Sequence, residues 1–272
     1  MNYRHAFHAG NVADCVKHAL LVWLVRALQR KPASLFALDT HAGAGRYDLA
    51  AAPAARAGEW RDGIGRLLAD TPAPLADYVG LVHELGLYPG SPQLIRALLR
   101  PDDRLVCCEL HPDDAALLQQ RFAHDVQVSV HRRDGWEALR ALLPPAQKRG
   151  LILVDPPYEA ADEFARLAAA LARAHRRFRN GTFAAWYPIK HRASVRAFYA
   201  ALAEPGLRDV VAAEFLLREP IDPARLNGCG LLVLHPPFRF EQEVPPILAA
   251  LLQRLGNREP GEAAAVQRLV DE

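Results

Sequence analysis

The chain has 272 residues, 51% hydrophobic and 24% charged, with a formal net charge of +2. That balance suits one large α/β core, and it excludes a disordered chain or one that holds nucleic acid through a global positive field; any such partner must meet local patches. The four cysteines, Cys15, Cys107, Cys108 and Cys229, show no C-x-x-C spacing or secretory framework, and no apolar run approaches the ~20 residues that span a bilayer. The chain therefore reads as reduced, cytoplasmic and without a membrane segment.

The opening stretch, Asn2 to Asp14, carries Tyr3, Arg4, His5, Phe7 and His8 without a clear period, and residues 1–12 are expected to form an ordered arm. Ala13 to Gln29 is helical, with an apolar stripe of Val16, Leu20, Trp23, Leu24, Ala27 and Leu28. Lys17 and His18, near its start, either face a site or are a solvated lysine and a boundary histidine. His5, His8, His18 and His41 match no zinc spacing, so no metal site is expected. Ser34 to Leu38 reads as a buried strand that ends in Asp39-Thr-His41-Ala-Gly43-Ala-Gly45. A strand followed by G-x-G lets a nucleotide-like ligand approach the backbone. Position 48 is Asp, so the third glycine of the dinucleotide fingerprint is missing and hydride transfer is disfavoured.

Residues from about 49 to 88 are rich in Ala and Pro, with helical pieces at Gly58 to Leu68 and Leu75 to Leu85 and no strand pattern, which predicts a small helical insertion at the rim of a site. Tyr88-Pro-Gly-Ser91-Pro92 starts a helix to Arg100, with Ser91 as N-cap and Pro92 at the first helical position. Arg104 to Leu110 is a strand ending near Glu109, and Val126 to His131 is another, followed by Asp134 and Gly135. At strand ends Glu109 would take both hydroxyls of a ribose and Asp134 would meet an adenine edge, although each is equally placed to cap the helix after it. Beyond Gly150 to Val154, the chain predicts a helix from Ala160 to Arg179, a strand from Thr182 to Tyr187, a helix from Ala193 to Leu202, strands at Asp209 to Leu217 and Leu231 to Leu234, and a helix from Pro245 to Leu255. The fold expected is α/β, a mostly parallel, doubly wound sheet of seven strands, with residues 1–258 as one domain and 259–272 as a tail.

The strongest signal is Asp155-Pro156-Pro157-Tyr158 after the apolar run Gly150 to Val154. Two prolines cannot continue a ladder, so the chain turns out of the sheet and leaves Asp155 at the carboxyl end of a central strand. A carboxylate and the neighbouring Pro156 carbonyl accept the two N–H bonds of an amino group, and the Tyr158 face can stack on a planar base. The tetrapeptide resembles the D/N-P-P-Y/F motif of S-adenosylmethionine-dependent methyltransferases that act on exocyclic amino groups, and the D-x-x-x-G-x-G run is similar to their cofactor loop.

Taken with Tyr3-Arg-His-x-Phe-His-Ala-Gly-Asn-x-Ala-Asp14, Lys17-His18, Leu38 to Tyr47, Tyr88-Pro-Gly-Ser-Pro92, Glu109-Leu-His-Pro112 and Trp186-Tyr-Pro188, these residues make the whole chain resemble the bacterial large-subunit ribosomal RNA adenine-N6 methyltransferases of the J type. The resemblance implies a Rossmann-like class I methyltransferase with S-adenosyl-L-methionine as cofactor and an adenine of 23S ribosomal RNA as substrate, met protein-free or early in assembly. It implies cofactor contacts at His18, His41, Ser91, Glu109, Asp134, Gly135 and Asp155, and a substrate contact from Tyr3 in the arm. The residues themselves point to Asp155 as the catalytic group and to Pro156 and Tyr158 as substrate contacts, with Lys17 and Arg4 expected against RNA phosphates. A monomer is expected. A methyltransferase for DNA or a protein glutamine amide, and an RNA binder without catalysis, stay open as alternatives.

Overall fold

The computed structural model of the protein describes residues 5–160, 162–203 and 206–271. Its centre is set by two short strands with no polar face, Phe36–Asp39 (β1) and Gly150–Val154, every residue of which is buried. Such runs are stable only between two helical layers, and they lie side by side in parallel, Phe36 opposite Gly150. On the far side of β1 stand Arg104–Glu109 (β2) and then Val128–Arg132 (β3), both parallel to it. On the other side, Gly150–Val154 (β4) is followed by Gly181–Ile189 (β5), also parallel. Val210–Leu216 (β6) and Gly228–Leu234 (β7) pair antiparallel, and β7 inserts between β6 and β5.

The sheet has eight strands, in the order β8-β6-β7-β5-β4-β1-β2-β3, rather than the seven expected. The extra strand, β8, is Ala263–Val270, which pairs antiparallel with β6, so the segment expected to be a tail is part of the sheet. Arg268 fastens it, reaching Asp209 at 2.9 Å and Glu241 at 2.6 Å. Two strands, β7 and β8, therefore run against the parallel set, where one was expected.

One helical layer is built on Val12–Gln29 (α1) and the other on the helices that follow β3, β4 and β5. Between β1 and β2 the chain forms Ala52–Ala57 (α2), Ile64–Ala69 (α3), Ala76–Leu85 (α4) and Ser91–Leu98 (α5). A two-residue antiparallel ladder of Arg46 and Tyr47 with Pro89 and Tyr88 closes the base of the stretch that holds α2 to α4. Pro112–Arg121 (α6) follows β2, Gly135–Ala141 (α7) follows β3, Glu163–Arg177 (α8) follows β4, Arg192–Ala203 (α9) follows β5 and Phe240–Leu255 (α10) follows β7. α1, α5, α6 and α10 contribute to one apolar core with Leu20, Leu24, Leu94, Leu118 and Leu251, and α7, α8 and α9 to the other with Leu139, Leu171 and Phe198. α10 begins at Phe240, ahead of the Pro245 expected to open it, because Arg239 turns the chain with a positive φ of 69° before the two prolines are reached. The parallel strands all point their carboxyl ends to one edge, and that edge carries the site.

Candidate active site

A cavity of about 540 Å³ opens along the carboxyl ends of β1, β2, β3, β4 and β5, within the range usual for small-molecule sites. It has two halves, one bordered by the glycine loop, Glu109 and Asp134 to Trp136, the other by Asp155 to Tyr158, Trp186 and Pro188.

In the first half the turn after β1 has Gly43 at φ 61° and Gly45 at φ 76°, a backbone that side chains rarely adopt. A Cβ on Gly43 would meet the Tyr47 hydroxyl at 2.3 Å, so the loop is packed as well as bent. Glu109 holds this loop: its Oε2 accepts from the Gly43 N–H and its Oε1 from the His111 N–H, each at 2.7 Å. Each oxygen keeps a lone pair, so the clamp and a ribose contact are compatible. Burial pushes the Glu109 carboxyl up, opposed by those two backbone donors. Asp134 is the N-cap of α7, accepting from the Glu137 N–H at 3.0 Å, and it faces the cavity too. Gly135 lets α7 close on β1, since a Cβ there would meet the Thr40 carbonyl at 2.4 Å and the His41 ring at 2.7 Å. Burial lowers His41 to about 4, so its imidazole is neutral at physiological pH, with Thr40 Oγ1 at 2.8 Å from Nδ1 and Trp136 edge-on to the ring.

Ser91 is not the N-cap of its helix. Gly90, in extended conformation, is the cap, and Ser91 is the first residue of α5, buried beside Asp39; the helix ends at Leu98, short of Arg100. His18 lies wholly buried in the cavity wall, its Nδ1 2.9 Å from the Tyr88 hydroxyl.

The second half depends on a contact that joins distant parts of the chain. Lys17 Nζ donates to Asp155 Oδ2 at 2.7 Å and lies 2.8 Å from Asp14 Oδ1, one turn earlier on α1. The Lys17 side chain borders the cavity but is only 6% exposed, and its ammonium is engaged by two acids. Burial opposes its charge, but Asp14 and Asp155 outweigh that and hold it well above the ordinary lysine range. Asp14 is itself placed by the Gly10 N–H, which donates to Oδ2 at 3.0 Å, and by Asn11, the N-cap of α1. Asp155 Oδ1 accepts no hydrogen bond among the described residues and borders the cavity.

Tyr158 has φ 53°, rare for a residue with a large side chain, and strain of this kind persists where the surroundings hold it. Here the hydroxyl donates to the Trp186 carbonyl at 2.7 Å and the ring packs against Phe164 and Trp186. β5 supplies Trp186 because it continues to Ile189, beyond its last pairing with β4 at Ala185 and Val154, and so forms a wall opposite the Pro-Pro turn. Tyr3 and Arg4 lie outside the described residues.

The structure thus brings His18, His41, Ser91, Glu109, Asp134, Gly135, Asp155, Pro156 and Tyr158 to one cavity. Two buried acids carry roles that the sequence reading left unassigned. Asp14 is signalled only by its i,i+3 spacing to Lys17. Asp39 ends β1 with no exposure, and burial pushes its carboxyl up to about 6, against the Ser91 hydroxyl and Lys17. Among the described residues no cluster of histidine, cysteine or acidic side chains is arranged to hold a metal, and no helix is long and apolar enough to cross a membrane.

Known proteins share this architecture. The chain is 38% identical over 271 residues to the ribosomal RNA large subunit methyltransferase J of Escherichia coli, covering 97% of each. It is 37% identical over 264 residues to the protein of the same name from Haemophilus influenzae, covering 94% of each. The crystal structure of protein LPL1258 from Legionella pneumophila superimposes with a TM-score of 0.87 at 33% identity, covering 96% of this chain and 98% of that one. The family model described as ribosomal RNA large subunit methyltransferase D, RlmJ, matches residues 32–268, and this chain belongs to that family.

Proposed function

We propose that the protein transfers a methyl group from S-adenosyl-L-methionine to N6 of an adenine in 23S ribosomal RNA. One observation carries the assignment of the chemistry: Asp155, at the carboxyl end of β4, is held through one oxygen by buried Lys17 while the other borders a cavity walled by Pro156, Tyr158 and Trp186. The family supplies the large-subunit RNA, and the strand-end carboxylates supply the fit to a cofactor with a ribose and an adenine.

The residues divide the work by position. Glu109 would accept from the ribose hydroxyls while keeping the glycine loop closed, Asp134 and Gly135 would border the adenine, and neutral His41 and buried His18 would shape the remaining wall. When bound, the cofactor supplies a methyl on a positively charged sulfur, an electrophile that needs no metal. The adenine amino lone pair is delocalised into its ring, so the task of the protein is to fix N6 in line for attack. Asp155 Oδ1 accepts one N–H of the amino group and the Pro156 carbonyl the other, which favours the tetrahedral nitrogen. The Lys17 ion pair fixes the direction of Asp155, so this alignment is built before substrate arrives. Tyr158 would stack on the base after it has left its stack, with Trp186 beside it.

The arm, residues 1–12, and the helical stretch at about 49–88 would grip RNA beside the cavity, with Tyr3 reaching the base. In support, the start of the chain is tied to that stretch: His8 Nδ1 lies 3.0 Å from Glu59, and the Ile64 N–H donates to the Gly10 carbonyl at 2.8 Å. We expect a monomer acting on protein-free RNA or an early assembly intermediate. The test is methyl transfer from labelled cofactor to protein-free large-subunit RNA, small-subunit RNA, DNA and protein. Label in the large-subunit RNA alone supports the reading; label in DNA or protein, or in none of the four, overturns it.

A further inference from the structure

Acids outnumber long cations around the cavity that must admit an RNA nucleotide; Asp14, Glu109, Asp114, Asp155, Glu159 and Glu163 all border it. A phosphodiester brought to that mouth meets net repulsion unless a cation stands at the substrate end. Three long cationic side chains border the cavity, Lys17, Arg166 and Lys190, and two are engaged. Lys17 is buried between Asp14 and Asp155. Arg166 lies 4.8 Å over the Trp136 ring and 4.0 Å from Glu163, toward the half assigned to the cofactor. Lys190 is exposed and has no ion-pair partner among the described residues.

The position of Lys190 is built. Trp186 and Pro188 border the cavity while Tyr187 and Ile189, which alternate with them, enter the core on the other side of β5, and Lys190 follows in the cavity-facing series. Its backbone is then clamped by Asn227, which is wholly buried: Nδ2 donates to the Lys190 carbonyl at 2.7 Å and the Asn227 N–H donates to the Ile189 carbonyl at 2.9 Å. The clamp spares the ammonium, which stays at the mouth beside Leu226, past Trp186 and Pro188. Resting on the reading above, we infer that Lys190 binds a phosphate adjoining the adenosine whose base enters between Asp155 and Trp186, and so selects a nucleotide within a chain over a free nucleoside. Lys190 is a substrate-binding residue and takes no part in proton or methyl transfer.

The experiment measures methyl transfer to protein-free large-subunit RNA with adenosine, adenosine 5′-monophosphate and adenosine 3′-monophosphate as competing inhibitors, in the wild type, Lys190→Ala and Lys190→Arg. In the wild type one monophosphate should inhibit about 10-fold better than adenosine, the lower end for a hydrogen bond between charged groups. In Lys190→Ala that advantage should vanish, KM for RNA should rise by a similar factor and kcat should stay within about twofold, while Lys190→Arg keeps most of the advantage. The salt dependence of RNA binding should fall by about one phosphate, a slope change of roughly 0.7 to 0.9. An equal advantage in Lys190→Ala, or none in the wild type, overturns the role of Lys190 and leaves the methyltransferase reading intact. A wild type that transfers no methyl to RNA removes both.

Discussion

Replacing Lys17 by Met should destabilise the protein far more than replacing Asp155 by Asn, although the two side chains meet at 2.7 Å. Lys17 pairs with two acids at once, Asp14 with a side chain 2% exposed and Asp155 with one 16% exposed. In Lys17→Met both carboxylates face each other across a hole in the charge balance, and breaking a buried pair from one side costs about 3–5 kcal/mol. Asp155 borders the cavity and can regain some hydration, which places the expected loss near ~3 kcal/mol, the lower end of that range. In Asp155→Asn the cation keeps Asp14 and the amide oxygen can still accept from Nζ, so the expected loss is about 1 kcal/mol. Urea unfolding followed by circular dichroism reads both, with an unchanged m-value showing that stability alone has moved. A loss under about 1 kcal/mol in Lys17→Met, on the scale of a surface pair, would refute the claim that this lysine is the electrostatic keystone of the site.

Glu109→Ala should weaken S-adenosyl-L-methionine by about 1 to 3 kcal/mol in calorimetry, since it removes the proposed ribose acceptor and frees the Gly43 and His111 N–H groups that Glu109 now holds; unchanged affinity would reduce Glu109 to a loop clamp. Asp39→Asn should stabilise the cofactor-free protein at pH 7.5, because the folded carboxyl sits at about 6 against an ordinary 3.8 and its charge is disfavoured in the fold. That penalty exists above the folded value and disappears as pH falls toward the unfolded one. The advantage of Asn, at most about 3 kcal/mol, should therefore be present at neutral pH and shrink between pH 6 and pH 4 in thermal melts. A pH-independent difference would show that hydrogen bonding and not charge distinguishes the two residues.

Much of this site could be read in the chain because its chemistry sits where local rules also apply. Glu109 and Asp155 each close an apolar run at a strand end, and Asp134 stands two residues past the mixed strand Val128–Arg132 at the start of a helix, so the strand end and the carboxylate are announced together. Asp134 shows that the capping and the ligand readings need not compete: one oxygen caps α7 while the residue still borders the cavity. What escaped depends on partners far away in sequence. Lys17 and Asp155 are 138 residues apart, and nothing near Lys17 marks it as buried except Asp14 at i,i+3. Ala263 to Val270 has alanines where strands prefer branched residues, so its pairing comes from the free edge of β6 and the Arg268 ion pairs and not from its own propensity. Ser91-Pro92 looked like a cap and first turn, but Gly90 in extended conformation took the cap and drew Ser91 in beside Asp39.

The most direct test follows the product and Asp155 together. Large-subunit RNA is methylated with saturating S-adenosyl-L-methionine by the wild type, Asp155→Asn and Asp155→Ala, digested to nucleosides and analysed by mass spectrometry, with cofactor affinity measured separately for each. The wild type should yield N6-methyladenosine, Asp155→Ala should turn over at least ~100-fold more slowly, the scale for one positioned acceptor, and Asp155→Asn, whose amide oxygen can still align the amino group, should show intermediate activity. A methyl on any other atom, or near wild-type turnover in Asp155→Ala, would contradict the proposed N6 transfer at Asp155.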